Sequence, residues 1–166
     1  KMAIKNLKYQ SPGIDEETRF EKLHSITFEN SERGSNLIAR EICDLVKSKQ
    51  KKNKNCVIGF ATGSSPAKVY QELIRIHNDE SLSFSNVIAF NLDEYFPIKK
   101  YDSNSYHHFM NENLFDHIDI PKENINIPSG EIKEKEVKKF CDFYEDKIIE
   151  NGGIDIQLLG IGRTGH

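Results

Sequence analysis

"CVIGFATGSSPAKVYQELIRIH", residues 56–77, changes its hydrophobic period part-way along. Its first six residues form a short continuous apolar run, the pattern of a strand buried on both faces of a parallel sheet. Further on, Val69, Leu73, Ile76 and His77 fall on one side of a helix whose first turn accommodates Pro66. Thr62, Gly63, Ser64 and Ser65 therefore occupy the turn where a strand ends and a helix begins. Two readings of that turn stand. Free backbone N–H groups and the helix dipole attract an anion there, with hydroxyls adding donors and Gly63 permitting close approach. Equally, Ser and Thr are ordinary helix N-caps. The spacing matches neither the lysine-bearing phosphate loop nor G-x-G-x-x-G.

The same alternation recurs outward from this stretch. "SITFEN" (25–30) alternates Ile26 and Phe28 with polar residues, as an edge strand would. From Ser31, Ile38, Ile42, Leu45 and Val46 share a helical face, and the segment closes in the basic run "KSKQKKNKN", which suits a helix C-terminus. "VIAFNL" (87–92) reads as a second buried strand, followed by a helix carrying Tyr106, Phe109, Met110 and Leu114. "KENINIPSG" reads as a connector. Val137, Phe140, Cys141, Tyr144 and Ile148 mark another amphipathic helix, and "GGIDIQLLGIG" (152–162) a turn and a further buried strand. The expected class is α/β: a doubly wound, mostly parallel sheet with helices on both faces and ligands at the C-terminal ends of its strands. Because the last strand lacks its covering helix, residues 31–166 are expected to be the N-terminal part of a larger domain, truncated here, with residues 1–30 as an N-terminal extension.

Composition narrows the function classes. With 166 residues, 37% hydrophobic and 30% charged, the chain suits one ordered domain with a real core. A formal charge of -3 argues against general nucleic-acid binding, which needs dense Lys/Arg contacts to phosphate, and favours a small-molecule partner. Cys43, Cys56 and Cys141 are odd in number, widely spaced and set in apolar patterns, which fits reduced core thiols rather than a disulfide framework or a metal site. No apolar run approaches the roughly 20 residues of a membrane span, and the N-terminus has no secretory h-region. A cytoplasmic protein with no membrane partner is expected.

The chemistry concentrates at the strand ends. In "FNLDEYFP" (90–97), Asp93, Glu94 and Tyr95 leave the second strand. Consecutive residues point in different directions, so one carboxylate can face the crevice as a base while the other braces the loop; a solvated acidic turn is the plainer reading. His107 and His108 cannot both face one way and read as packing or surface residues, since no carboxylate–histidine metal motif accompanies them. His24, His77 and His117 are isolated. His166, after the glycine-bearing "GIGRTG", is placed to enter the same crevice as Asp93, where a carboxylate and an imidazole suit proton transfer at two positions of a small substrate; alternatively it is a histidine without a role.

Taken together, "ATGSSP", "NLDEY", "SYHHFMNENLFDHIDIPKENINIPSG" and "GGIDIQLLGIGRTGH" resemble, in order and spacing, the glucosamine-6-phosphate deaminase/isomerase family. The resemblance runs from about residue 31 to residue 166. It implies a Rossmann-like domain that converts glucosamine 6-phosphate and water to fructose 6-phosphate and ammonia in amino-sugar catabolism, without metal or other cofactor, possible as a homo-oligomer. It further implies that Thr62, Gly63, Ser64 and Ser65 help hold the sugar phosphate. Asp93 becomes the base that moves a proton between sugar C2 and C1, and His166 the group that assists ring opening, with Glu94 and Tyr95 in support.

Two departures from the family pattern matter. Thr164 stands where the family usually has an Asp that orients the imidazole; its hydroxyl can hydrogen-bond the ring but cannot offset its charge. The "FNEP" segment expected beyond His166 is not in this sequence, so the chain as it stands is expected not to be a competent enzyme. The nearest rival reading is 6-phosphogluconolactonase, whose counterpart of the "DEY" loop typically carries arginine where this chain has Tyr95. A sugar-phosphate sensor that keeps the cradle and has lost the chemistry is the rival from another class.

Overall fold

The computed structural model describes residues 25–162, 164 and 165. Residues 1–24 of the expected 1–30 extension, and His166 with its expected place in the crevice, lie outside the described residues. Helix α1 spans Ser31–Gln50, strand β1 Cys56–Phe60, helix α2 Ser64–Glu80, strand β2 Val87–Asn91, helix α3 Tyr106–Asn113, strand β3 Ile125–Asn126, helix α4 Val137–Glu150 and strand β4 Ile156–Gln157. The four strands form one sheet in the order β3-β2-β1-β4, and every pairing is parallel. The sequence's doubly wound α/β architecture is the observed one.

Consecutive strands are joined through a helix each time, as parallel connections require. β1 and β2 are buried along their whole length, which is why both read as unbroken apolar runs. One sheet face packs Ile58, Phe60, Val87 and Ala89 against Ile42, Val46, Val69, Tyr70, Leu73, Met110 and Leu114 from α1, α2 and α3 and their flanks. The other face packs Val57, Ile88 and Phe90 against Tyr144, Ile148 and Ile154, so α4 covers it. Fully burying such a side chain contributes about 1.5–3 kcal/mol, enough in sum to hold the strand ends in place.

Five expectations are corrected. "SITFEN" is not a strand: residues 25–28 have no regular structure, and Phe28 packs by Gly34 at the start of α1, whose N-cap is Asn30. On α1 the buried face carries Ala39, Ile42, Cys43 and Val46, while Ile38 is turned outward. "KENINIPSG" contains β3, whose Ile125 and Asn126 pair with Ala89 and Phe90 of β2; two residues are too few to leave a period-two signal. β4 is short and half-buried rather than buried, because it pairs with β1 through Ile156 and Gln157 and no strand covers its far side among the described residues. Cys141, read as a core thiol, is exposed, whereas Cys43 and Cys56 are buried.

The chain runs from β1 out to β2 and β3 and returns to the opposite side of β1 with β4. Strand order reverses beside β1, and in open α/β sheets the crevice at that reversal, beyond the carboxyl ends, is where ligands bind. Thr62 follows β1 there, Asp93 follows β2, and the 160–165 turn follows β4.

Candidate active site

The register of the sheet sets the first distance. Phe60 pairs with Asn91, and the Leu92 N–H still reaches the Phe60 carbonyl at 3.3 Å. Thr62 and Asp93 therefore leave neighbouring strands at the same height. Two phenols pin these ends from opposite sides of the sheet. Tyr70 of α2, fully buried, donates to the Ala61 carbonyl just before Thr62. Tyr144 of α4 lies 2.9 Å from both the Asn91 and the Asn126 carbonyl and shares its one O–H between them, tying β2 to β3.

The turn after β1 is not closed by its own hydroxyls. α2 begins at Ser64, its N-cap is Gly63, and no side chain caps it. Ala67 N–H bonds the Gly63 carbonyl at 3.2 Å, and Pro66 within the first turn has no N–H to satisfy. Gly63, Ser64 and Ser65 are exposed, so the first N–H groups of α2 face solvent at the positive end of the helix dipole. Gly63 has φ +120, a conformation L residues rarely adopt, and the nearest atom to a Cβ placed there is Pro66 Cδ at 4.0 Å. Conformation rather than close packing demands the glycine.

Asp93 and Glu94 take different roles, as the sequence allowed. The Glu94 side chain is 1% exposed. It accepts from the backbone N–H groups of Tyr95 at 2.9 Å, Tyr106 at 2.8 Å and His107 at 3.1 Å, and meets His107 Nδ1 at 3.0 Å. A carboxylate can only accept, so Nδ1 carries the proton. Burial raises the Glu94 carboxyl, but these bonds and the helix N-terminus outweigh it, and the group stays below its ordinary value. Asp93 is the outward carboxylate. Partial burial, and then the adjacent Glu94 charge, raise its pKa. A base slightly stronger than a free aspartate results, at a strand end, with its neighbour occupied elsewhere.

His107 is thus corrected from a packing residue to the partner of Glu94, while His108 stays half-exposed beside Glu112. Tyr106 was missed as a site residue because its apolar ring fits the helical face. Its ring lies 4.8 Å from that of Tyr95 at 46°, and the neighbouring Tyr95 hydroxyl, then burial, raise its phenol above the ordinary value, with the Asp93 charge adding to the shift. Its position at the first residue of a helix was the available signal: side chains there project toward whatever the preceding loop surrounds. Thr62, Asp93, Tyr95 and Tyr106 are therefore brought together, with Glu94 beneath them. Thr164 lies in the turn closed by the Gly165 N–H on the Gly162 carbonyl at 2.9 Å. Among the described residues, no group of three or more His, Cys, Asp or Glu is disposed to hold a metal ion, and no helix is long and apolar enough to cross a membrane. A separate cleft of about 720 Å³ opens beside β3, lined by Lys122, Asn126, Phe140 and Tyr144; it shares His107 and Tyr144 with the surroundings of this site.

Residues 29–166 match the family model for glucosamine-6-phosphate isomerases and 6-phosphogluconolactonases. The chain belongs to that family. It is 45% identical over 141 residues to the glucosamine-6-phosphate deaminase of Oceanobacillus iheyensis, covering 85% of this chain and 54% of the relative. A monomeric glucosamine-6-phosphate deaminase of known structure superposes with a TM-score of 0.80 at 40% identity, over 87% of this chain and 57% of that one. The 6-phosphogluconolactonase of Thermotoga maritima shares the fold, with a TM-score of 0.67 at 20% identity over 84% of this chain and 60% of that one. The chain spans about half the length of the curated deaminases it matches.

Proposed function

We propose that this chain carries the phosphate turn and the isomerisation base of a glucosamine-6-phosphate deaminase, a cytoplasmic enzyme of amino-sugar catabolism. The single observation that carries the reading is the pairing of an uncapped helix start at Gly63–Ser65 with a raised, outward Asp93 at the same height on the next strand. Kinship with deaminases at 40–45% identity supports it over the lactonases, whose 20% likeness speaks for the fold alone.

In this reading the phosphate rests on the N–H groups of Ser64 and Ser65 with the Thr62 hydroxyl nearby. Asp93 removes the proton from C2 of the open-chain amino aldose and returns it to C1 through an enol-type intermediate. The C2–N bond then breaks with net uptake of water, leaving a ketose phosphate and ammonia. His166 is the proposed group for ring opening, with Thr164 as its neighbour in the turn. The deciding assay is ammonia release from glucosamine 6-phosphate by the longest natural form of this chain, with 6-phosphogluconolactone hydrolysis beside it. Ammonia release that Asp93→Asn abolishes while sugar-phosphate binding persists is the expected result. Silence toward glucosamine 6-phosphate with lactone hydrolysis would transfer the chain to the lactonases, and binding without turnover of either would make it a sensor.

A further inference from the structure

We propose that the cleft of about 720 Å³ beside β3 is a second ligand site: it takes a small aromatic anion bearing a hydrogen-bond donor, and its occupation reaches the Asp93 loop through His107. That volume lies within the roughly 300–1,000 Å³ of small-molecule pockets. Three elements line the cleft: α3 with the segment after it, β3 at the edge of the sheet, and α4. The site is separate from the sugar-phosphate crevice, and the proposal does not rest on the reading of that crevice.

The lining divides by chemistry. Phe115 is buried, Phe140 half-buried and Phe143 59% exposed, which together offer apolar surface to a flat ring. Lys100, Lys122 and Lys147 also line the cleft, and none of their ammonium groups has a carboxylate partner among the described residues. Asp116 is the one acid in the lining. In a chain of formal charge -3, this local excess of cations favours an anion.

Two polar atoms of the lining residues are unspent. Asn126 is only 7% exposed, and its Nδ2 donates to the Ala89 carbonyl at 2.9 Å and the Asn124 carbonyl at 3.2 Å, while Oδ1 accepts from no described residue. His107 carries its proton on Nδ1, 3.0 Å from Glu94, so Nε2 is a bare acceptor. Both atoms require a donor from the ligand. A peptide strand is the other occupant that an open sheet edge attracts. Here β3 offers it only two paired residues, and the Asn126 carbonyl is already reached by the Tyr144 hydroxyl at 2.9 Å.

One imidazole connects the cleft to the loop. Glu94 meets His107 Nδ1 and, with the same carboxylate, accepts from the backbone N–H groups of Tyr95, Tyr106 and His107. A donor bonded to Nε2 polarises the ring and strengthens the Nδ1–H bond to Glu94, so occupation tightens the loop.

The test uses the longest natural form of the chain and three probes. Indole-3-acetate has the ring, the N–H and the carboxylate; naphthalene-1-acetate lacks the donor, and indole-3-acetamide lacks the charge. Calorimetric titration is expected to rank indole-3-acetate first, each of the others being weaker by about threefold or more. Phe143→Ser, and Lys122→Glu together with Lys147→Glu, alter side chains outside the core. Each variant is expected to weaken indole-3-acetate about fivefold or more with the unfolding midpoint little changed. Hydrogen exchange at the Tyr106 and His107 amides, both bonded to Glu94, is expected to slow when indole-3-acetate is added, and to slow less in Phe143→Ser. Equal affinity for the three probes, no binding at millimolar concentration, or binding that survives both variants would overturn the site. Binding in the cleft with unchanged exchange at both amides would overturn the link to the loop. Neither result bears on ammonia release, so the deaminase reading stands or falls separately.

Discussion

Asp93 and Glu94, adjacent in the chain, are shifted in opposite directions: the first is raised above its ordinary value and the second held below its own. The difference comes from what each one faces. Glu94 looks inward at three backbone N–H groups and an imidazole, and Asp93 looks outward with Glu94's charge beside it. One carboxylate builds the loop so that the other can be basic.

Glu94 should therefore set part of the acid stability. Its pKa in the fold lies below the ordinary 4.5, so its contribution is fully present above about pH 4.5 and is lost as pH falls through the lower folded value. Glu94→Gln removes the charge from a buried, multiply bonded site and is expected to cost about 1–3 kcal/mol near neutral pH. Urea unfolding as a function of pH checks this: the variant's stability should fall less steeply below pH 4.5 than that of the parent. A parallel pair of curves would show that Glu94 does not carry the linkage.

Gly63 tests the turn. At φ +120 an L side chain is strained whatever the space, and the cost is about 1–3 kcal/mol. Gly63→Ala should lower the melting temperature and weaken sugar-phosphate binding together, although no atom crowds the added methyl. D-alanine, introduced by semisynthesis, is at home in that region and should restore both. If D-alanine restores stability and leaves affinity low, the turn needs open space as well as its conformation.

Gly130 is a less obvious control point. A methyl there would sit 2.5 Å from the Tyr95 carbonyl oxygen, 2.7 Å from that of Ile98 and 2.4 Å from Ile98 Cγ2. The Ile98 N–H already bonds the Gly130 carbonyl at 3.0 Å, so the loop cannot slide away without losing that bond. Gly130→Ala is expected to destabilise by about 1–3 kcal/mol and to lower kcat at a distance from the reacting atoms. Calorimetry and ammonia release on the same preparation measure the two effects.

The thiols should divide sharply. Burial pushes Cys43 up to about 11 and Cys56 up to about 12, while Cys141 is exposed on α4. A native sample treated with a thiol-exchange reagent at pH 8 should label Cys141 within minutes and the other two only on unfolding. Peptide mass spectrometry after timed quenching identifies the labelled residue.

How much of this was legible follows from what a residue type can encode. Continuous burial made β1 and β2 readable, and the change of period at Thr62–Ser65 placed the turn correctly between them. β3, with two paired residues, was too short for any period to register, whereas β4 was readable within 152–162 though as a longer and more buried strand; the partners of both are set by the sheet rather than by their own composition. The division of Asp93 from Glu94 was open in the sequence, since which of two neighbouring carboxylates turns inward depends on a helix start a dozen residues later. His107 and Tyr106 read as core-face or surface residues of α3 because their work is done at its first turn, where the helical period says least.

Tyr70 and Tyr144 carry a last consequence. Their hydroxyls hold the Ala61 and Asn91 carbonyls from opposite faces of the sheet, so both strand ends lose their freedom when the chain folds, before any ligand arrives. The entropy of ordering the two platforms is thus absent from the binding step. Amide hydrogen exchange around Leu92 should change little on ligand addition, and whatever slows should lie in the loop beyond Glu94.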